Sequence, residues 1–434
     1  MSVVSGFDVN KFLGGSLVIA FRSITLTQRS AEVPLVLQGP GKIYLEEGRL
    51  KYEFYHEYKP SEFVQLMNLG FGDAAGKLVS PNTLFDFEGQ DSRGNTWRAE
   101  MLNAYGDHTP SLGFFKGEID VLISEETLGR PCPDAIHQIY FHHNRFPANP
   151  VLIEAGYEFM SSGRSIRINK DESGCDVLIE GQSVSNDLSN SMRKALNVIA
   201  GTQLELAFVE KVISQVKTWE LHSKRPGLSG SALLQPVDFR YSRNHECFES
   251  FFNPLFALMS SERGKVFYAN WHKLNSAWQG GIESAALNVS ICIEGLLRHY
   301  FNEQGKDPAF LKLSKAAAPK VEALDVDERV KESMLKGLEH AGGFKAKTAL
   351  YALIDKGCVS QELDKKWSLL RNKMAHAATL AESRDKLQEL VDLTLASIKL
   401  FYELLFIIID YSGARVDYAA HDFPTVDPSS TAPT

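Results

Sequence analysis

The feature that most constrains this 434-residue chain is a change of hydrophobic period near its middle. Up to about residue 225, apolar and polar residues alternate in segments rich in Val, Ile, Phe and Tyr; beyond about residue 244, apolar residues recur every three or four positions. A period of two belongs to half-buried strands and a period of 3.6 to amphipathic helices, and a segment written in one does not sit stably as the other. The chain is also too long for one ordinary core. It is therefore expected to be an α+β multidomain protein. Residues 1–225 would form a β-rich sandwich or open barrel, 226–243 a linker, 244–412 an all-α helical bundle and 413–434 a flexible tail.

The β-half shows its hairpins by their turns. "KIYLEEGRLKYEFY" reads as two strands joined at Gly48, "TLFDFEGQDSRGNTWRAEML" as two joined at Gly94-Asn95, and "SIRINKDESGCDVLIEG" as two joined near Gly174. "SNDLSNSMRKALNVIAG" looks helical and stops at Gly201. In the second half, helices are expected over "CFESFFNPLFALMSSE", "SAALNVSICIEGLLRHYFNEQG", "DERVKESMLKGLEHAGG", "AKTALYALIDKG", "SQELDKKWSLLRNKMAHAATL" and the long segment from Ser383 to Gly413. Ser360 is the expected N-cap of the fifth. The longest apolar stretch contains Lys399 and Glu403, so it reads as a buried bundle helix and not a membrane span. The aromatic run from Phe251 to Trp278 reads as core rather than as a base-stacking platform.

A net charge of -8 argues against nonspecific coating of nucleic acid. Residues 1–225 carry 22 basic against 28 acidic residues, whereas residues 281–411 carry 18 against 19, so the acidity lies mainly in the β-half. The five cysteines are scattered, which fits a reducing, cytoplasmic setting. The N-terminus shows no basic region followed by an apolar core, so no secretory leader is expected. Cys132, His137, His142 and His143 match no common zinc spacing, and "GFGDAAG" lacks the spacing of a dinucleotide loop. GxSxG, HExxH, Walker A and CxxC patterns do not occur. No metal or cofactor is expected.

Arg followed by His after four to six residues occurs five times: Arg49–His56, Arg130–His137, Arg240–His245, Arg371–His376 and Arg415–His421. Only Arg371–His376 falls inside an amphipathic helix. At about 100° per residue, Trp367, Leu370 and Met374 share a core-facing stripe. Asn372 and His376, four apart, share a face nearly opposite. The bland reading is an exposed polar face with accidental spacing. The chemical reading notes that histidine can exchange protons near neutral pH, arginine offers a permanently charged fork for phosphate, and asparagine orients without adding charge.

Arg371-Asn372-x-x-x-His376, on the penultimate helix of a C-terminal bundle, resembles the signature of the HEPN superfamily, in which a polar residue often follows the arginine. None of the other four pairs has Asn, Asp or His there. "ALNVSICIEGLLRHYF", with Glu294 in an apolar helix, resembles the ApeA-like HEPN branch, and the β-half is vaguely similar to the N-terminal domains of ApeA-type anti-phage proteins. The resemblance implies a metal-independent endoribonuclease of defence or toxin type, working at a composite site in a homodimer. Arg371, Asn372 and His376 would be catalytic, Glu294 and Lys373 supporting, and Lys365 and Lys366 RNA-binding. The N-terminal domain would sense a phage or cellular trigger. Glu294 could equally be a structural carboxylate; it needs a partner, and Arg371 is one candidate. The alternative to an enzyme is a catalytically inactive HEPN dimerisation module beside a β-rich ligand- or protein-binding domain.

Overall fold

The computed structural model describes residues 9–29, 32–69, 83–132, 134–142, 156–161, 163–170, 174–181, 187–224, 233–239, 247–375 and 383–427. The layout is α+β, with antiparallel β-structure first and helices after. The chain divides into two compact units. One comprises Met1–Asn144, Leu152–Ser189 and Leu204–Leu228, and the other Arg145–Val151, Asn190–Gln203 and Ser229–Thr434.

The β-rich unit opens with α1 (Val9–Leu13) and holds α2 (Pro60–Asn68) between its strands. The strands are β1 (Val18–Gln28), β2 (Val36–Glu46), β3 (Arg49–Glu57), β4 (Leu84–Asp91), β5 (Thr96–Asn103), β6 (Tyr105–His108) and β7 (Leu112–Ile119). They continue as β8 (Val121–Thr127), β9 (Ala135–Phe141), β10 (Tyr157–Ser161), β11 (Arg164–Lys170), β12 (Cys175–Gly181), β13 (Leu206–Ile213) and β14 (Val216–His222). Among the described residues these fourteen form one sheet, in the order β10-β11-β12-β9-β13-β14-β8-β5-β4-β1-β2-β3-β7-β6. All three expected hairpins pair as adjacent strands. At the first, Glu47 and Gly48 both have positive φ, 51° and 79°, the geometry whose twist suits a two-residue hairpin. At the second, the Asp91 carboxylate accepts from the backbone N–H groups of Arg93 and Asn95, each at 2.9 Å, and from Trp97 Nε1 at 3.0 Å.

The sheet curls on itself where β5 meets β7. β5 and β7 approach without forming a ladder, and the Tyr52 hydroxyl donates to the Asn103 carbonyl at 2.9 Å. The core inside includes Ile24, Leu26, Ile43, Tyr52, Phe54, Trp97 and Phe115. Each such side chain stabilises the fold by roughly 1.5–3 kcal/mol.

The helical unit contains α3 (Leu188–Ala200) from Asn190 onward, then α4 (Phe248–Met259), α5 (Glu262–Gln279), α6 (Ile282–Tyr300), α7 (Pro308–Glu322), α8 (Glu328–Gly342), α9 (Ala346–Asp355), α10 (Gln361–Ala375) and α11 (Arg384–Ile408). α3, which the order of periods placed with the β-half, packs here instead. Met192, Leu196 and Ile199 are buried, and Asn197 donates to the Tyr268 hydroxyl at 2.7 Å. α5 and α7 are two further helices that the periodicity did not single out.

α11 is buried along most of its length from Leu390 to Phe406. Among the described residues no helix is long and apolar enough to cross a membrane. The two charges in the apolar C-terminal part of α11 each find a counter-charge in the C-terminal segment: Lys399 meets Asp417 at 2.6 Å, and Glu403 pairs with Arg415. Of the expected flexible tail, the described part, residues 413–427, is packed, and residues 428–434 lie outside the described residues. Ala414, Val416 and Tyr418 are buried, and β15 (Arg415–Val416) pairs with β16 (Thr425–Val426). Residues 233–239, in the expected linker, are likewise packed. Leu233, Val237 and Phe239 are buried, and the Leu234 and Gln235 carbonyls accept from the Tyr402 and Tyr418 hydroxyls. In both stretches a few apolar residues lie among polar ones, and Lys399, Tyr402 and Glu403 on α11 take their partners from them.

Two predictions follow from buried titratable groups. Arg415→Ala leaves Glu403 buried without its partner and is expected to destabilise the helical unit by about 3–5 kcal/mol, whereas the Arg415→Met, Glu403→Leu double variant stays much closer to wild type; denaturant melts compare them. In the β-rich unit, burial pushes His137 and His142 down to about 4 from 6.5. Between those values the unfolded chain binds more protons, so this stabilisation is complete above about pH 6.5 and is lost as pH falls towards 4. Hydrogen exchange in β9 and β12, corrected for intrinsic rates, should show protection falling from pH 7 to pH 5, with a shallower fall in His137→Gln.

Candidate active site

α10 begins where sequence chemistry puts it: the Ser360 hydroxyl accepts from the backbone N–H of Leu363, three residues on. Glu362 and Asp364 in its first turn complement the positive end of the helix dipole. Trp367 and Leu370 are fully buried, Leu363 is buried beside them, and Met374 is half-buried. This stripe fixes the rotation of α10, which packs on both α6 and α11. Arg371 and Asn372 are consequently exposed.

Arg371 is held from two sides. Its Nη2 lies 3.2 Å from Glu294 Oε2 on α6, and its guanidinium sits 5.9 Å from the centre of the Trp367 ring. The arginine side chain remains 47% exposed and Glu294 33%, so this is a partly solvated pair that fixes direction more than it stabilises. Glu294 does not sit alone in the apolar core: α6 buries Val289, Ile293, Leu296 and Leu297 on one side and turns Glu294 to the boundary. The partner that its charge required is Arg371.

The lysines divide. Lys373 reaches Glu389 on α11 at 2.6 Å, and Lys366 pairs with Glu362 one turn earlier at 2.9 Å. Lys365 is exposed and forms no ion pair among the described residues. The structure thus joins Arg371 to Glu294 and places Asn372 beside them, while Lys366 and Lys373 serve the packing of their own helices. His376 lies outside the described residues. Asp364 escaped the sequence reading. It is buried on the core stripe, where its carboxylate accepts from the Ser368 hydroxyl at 3.3 Å; its i, i+4 spacing to Ser368 was the available signal.

The competing Arg–His pairs occupy other settings. Arg49 is bonded to Glu118, and His56, on the same strand, faces Glu62 at 3.3 Å. Arg415 serves Glu403, and His137 is buried on β9 with the Ser189 hydroxyl 3.3 Å from its Nδ1. Arg240 and His245 lie outside the described residues, as does His143. Cys132, Cys175, Cys247, Cys292 and Cys358 are free thiols. The described residues contain no grouping of three or more His, Cys, Asp or Glu side chains able to hold a metal ion.

No protein-family profile matches the sequence, and no curated protein matches it either.

If Glu294 directs Arg371, the two are energetically coupled. A double-mutant cycle with Glu294→Gln and Arg371→Gln is expected to give a coupling of about 0.5–1 kcal/mol, reduced at high salt. Additive effects of the two substitutions would dissociate the pair.

Proposed function

We propose that this protein is an endoribonuclease of the HEPN type that cleaves RNA without a metal ion, in the cytoplasm, in the service of anti-phage defence or as a toxin. The observation that carries the reading is Arg371 itself: an arginine on the outer face of a bundle helix, oriented by Glu294 and a tryptophan ring, next to an exposed asparagine.

In this reading the ribose 2′-hydroxyl attacks the adjacent phosphorus. The new O2′–P bond forms as the P–O5′ bond breaks, giving a 2′,3′-cyclic phosphate and a 5′-hydroxyl. The 2′-proton must leave and the 5′-oxygen must gain one. His376 moves a proton or positions the attacking hydroxyl, as an imidazole can near neutral pH. Arg371 clamps the phosphate, whose equatorial oxygens match its planar fork. Asn372 orients the histidine or the substrate. Lys365, the lysine without an ion pair among the described residues, is the better placed of the flanking lysines to meet the RNA backbone. Because Asn372 faces away from its own core and Arg371 stands half-exposed at the core's boundary, a second copy of α10 completes the cleft, making the working form a homodimer. DNA lacks the nucleophile and is not cut. The β-rich unit regulates the site in response to a phage or cellular trigger.

The purified full-length chain is expected to leave 2′,3′-cyclic phosphate ends on single-stranded RNA, in the presence of EDTA as in its absence. His376→Ala and Arg371→Ala should each lower the rate by about a hundredfold or more, and Arg371→Lys should rescue little, because a point charge replaces a fork. Sequencing of the RNA ends reads both the chemistry and the rate. Unchanged cleavage in both alanine variants, or RNA left whole by all three proteins when co-expressed with a triggering phage, refutes the proposal.

A further inference from the structure

The β-rich unit carries a gap in its sheet. The β5–β8 ladder runs only over Thr96–Arg98, opposite Ile123–Glu125. Beyond Arg98, β5 remains bonded to β4 on one side. On the other side its edge from Ala99 to Asn103 has no ladder partner among the described residues. A cavity of about 990 Å³ opens there, between β5 and the corner where β7 passes into β8. An unpaired edge leaves backbone N–H and C=O groups free, and folded proteins ordinarily cover or blunt such an edge.

The edge is only partly answered within the unit: the Asn103 carbonyl accepts from the Tyr52 hydroxyl and the Met101 N–H donates to the Asp86 carboxylate at 3.3 Å, which leaves the stretch from Ala99 to Leu102 facing the cavity. Met101 and Tyr105 line the cavity at 61% and 58% exposure. Met101 also has φ 61°, left-handed backbone that a large side chain rarely adopts, within the register shift that separates the Phe85 and Phe87 pairings. The charge of the lining is one-sided. Arg98 is paired with Glu88, Glu100 with Arg29 and Glu118 with Arg49. Asp120 and Glu125, both exposed, form no ion pair among the described residues.

We infer that this gap binds an extended, basic polypeptide segment. The segment adds as a strand along Ala99–Leu102, four residues or about 13 Å of extended chain. Lys or Arg side chains on one face reach Asp120 and Glu125, and apolar side chains on the other rest on Met101, Tyr105 and Ile123. The unanswered carboxylates select the sign of the partner, and the free backbone edge selects an extended chain over a helix. A nucleic acid strand has the wrong charge for this lining.

The test is calorimetric titration of the full-length protein with the capped hexapeptide Lys-Val-Arg-Val-Lys-Val, its Glu-substituted counterpart, and a form N-methylated at alternate amides. The basic peptide is expected to bind in a salt-dependent manner. The Glu counterpart should not bind, and N-methylation should weaken binding about tenfold or more. Asp120→Asn combined with Glu125→Gln should also weaken it about tenfold, equivalent to about 1.4 kcal/mol. Met101→Gly relieves the left-handed strain, so it should retain the melting temperature while losing affinity severalfold. Equal binding of the acidic peptide, equal binding of the N-methylated form, or no binding of the basic peptide at millimolar concentration each overturns the inference. The N-methylated arm uses the wild-type protein and does not depend on any variant folding. Binding is the readout, so Arg371→Ala should bind the peptide normally, and failure here leaves the nuclease proposal untouched.

Discussion

Burial of Trp367 and Leu370 sets the rotation of α10, and with it the direction of every polar residue that helix presents. A helix has one rotational degree of freedom about its axis, and a fully buried indole leaves little of it. Once that stripe is seated, Arg371 lies within reach of α6 and Asn372 cannot turn inward. The Trp367 ring contributes twice, as an anchor for the helix and as a face beside the guanidinium. The candidate site is thus a by-product of core packing in the best sense: rigid parts hold the polar groups, and the polar groups themselves add little stability.

A second constraint runs through the helical unit. The later part of α11 is so nearly surrounded that the two charges there, Lys399 and Glu403, had to be answered from elsewhere in the chain. Lys399 and Glu403 draw Asp417 and Arg415 on to the bundle, and Ala414, Val416 and Tyr418 are buried with them. For Glu403, burial raises the carboxyl pKa more than the nearby Arg415 lowers it, so the pair is tightly held without being strongly favourable. Such contacts order a segment more than they strengthen it. That explains how a polar, proline-containing stretch comes to be folded through residue 427.

Local signals were legible wherever local physics decides. The Gly48 turn, the Gly94-Asn95 turn before β5 and the Ser360 cap all read directly, because each is settled by residues within four positions. The two-part α+β division was equally plain from the change of period. What escaped was decided at long range. α5 hid inside an aromatic run that suggested core without suggesting shape, although Ser261 caps it by accepting from Gly264. α7 buries only Ser314 and Val321, so it had almost no apolar period to display. Of the site, the Arg371–Glu294 pair was legible as a need for a partner, since a carboxylate in an apolar helix calls for one. The engagement of Lys373 by Glu389 was not, because the two lie on different helices.

The sequence by itself determined the kinds of element, the turns between paired strands and the face of α10 on which Arg371 and Asn372 fall. These follow from periodicity and from side chains bonding their own neighbourhood. Only the tertiary structure decided which unit α3 joins, how far the C-terminal segment is ordered and which carboxylate orients Arg371. It also decided where the β5 ladder stops. Each of these depends on groups from a dozen to more than a hundred residues apart meeting in space, and no local pattern records which of them meet.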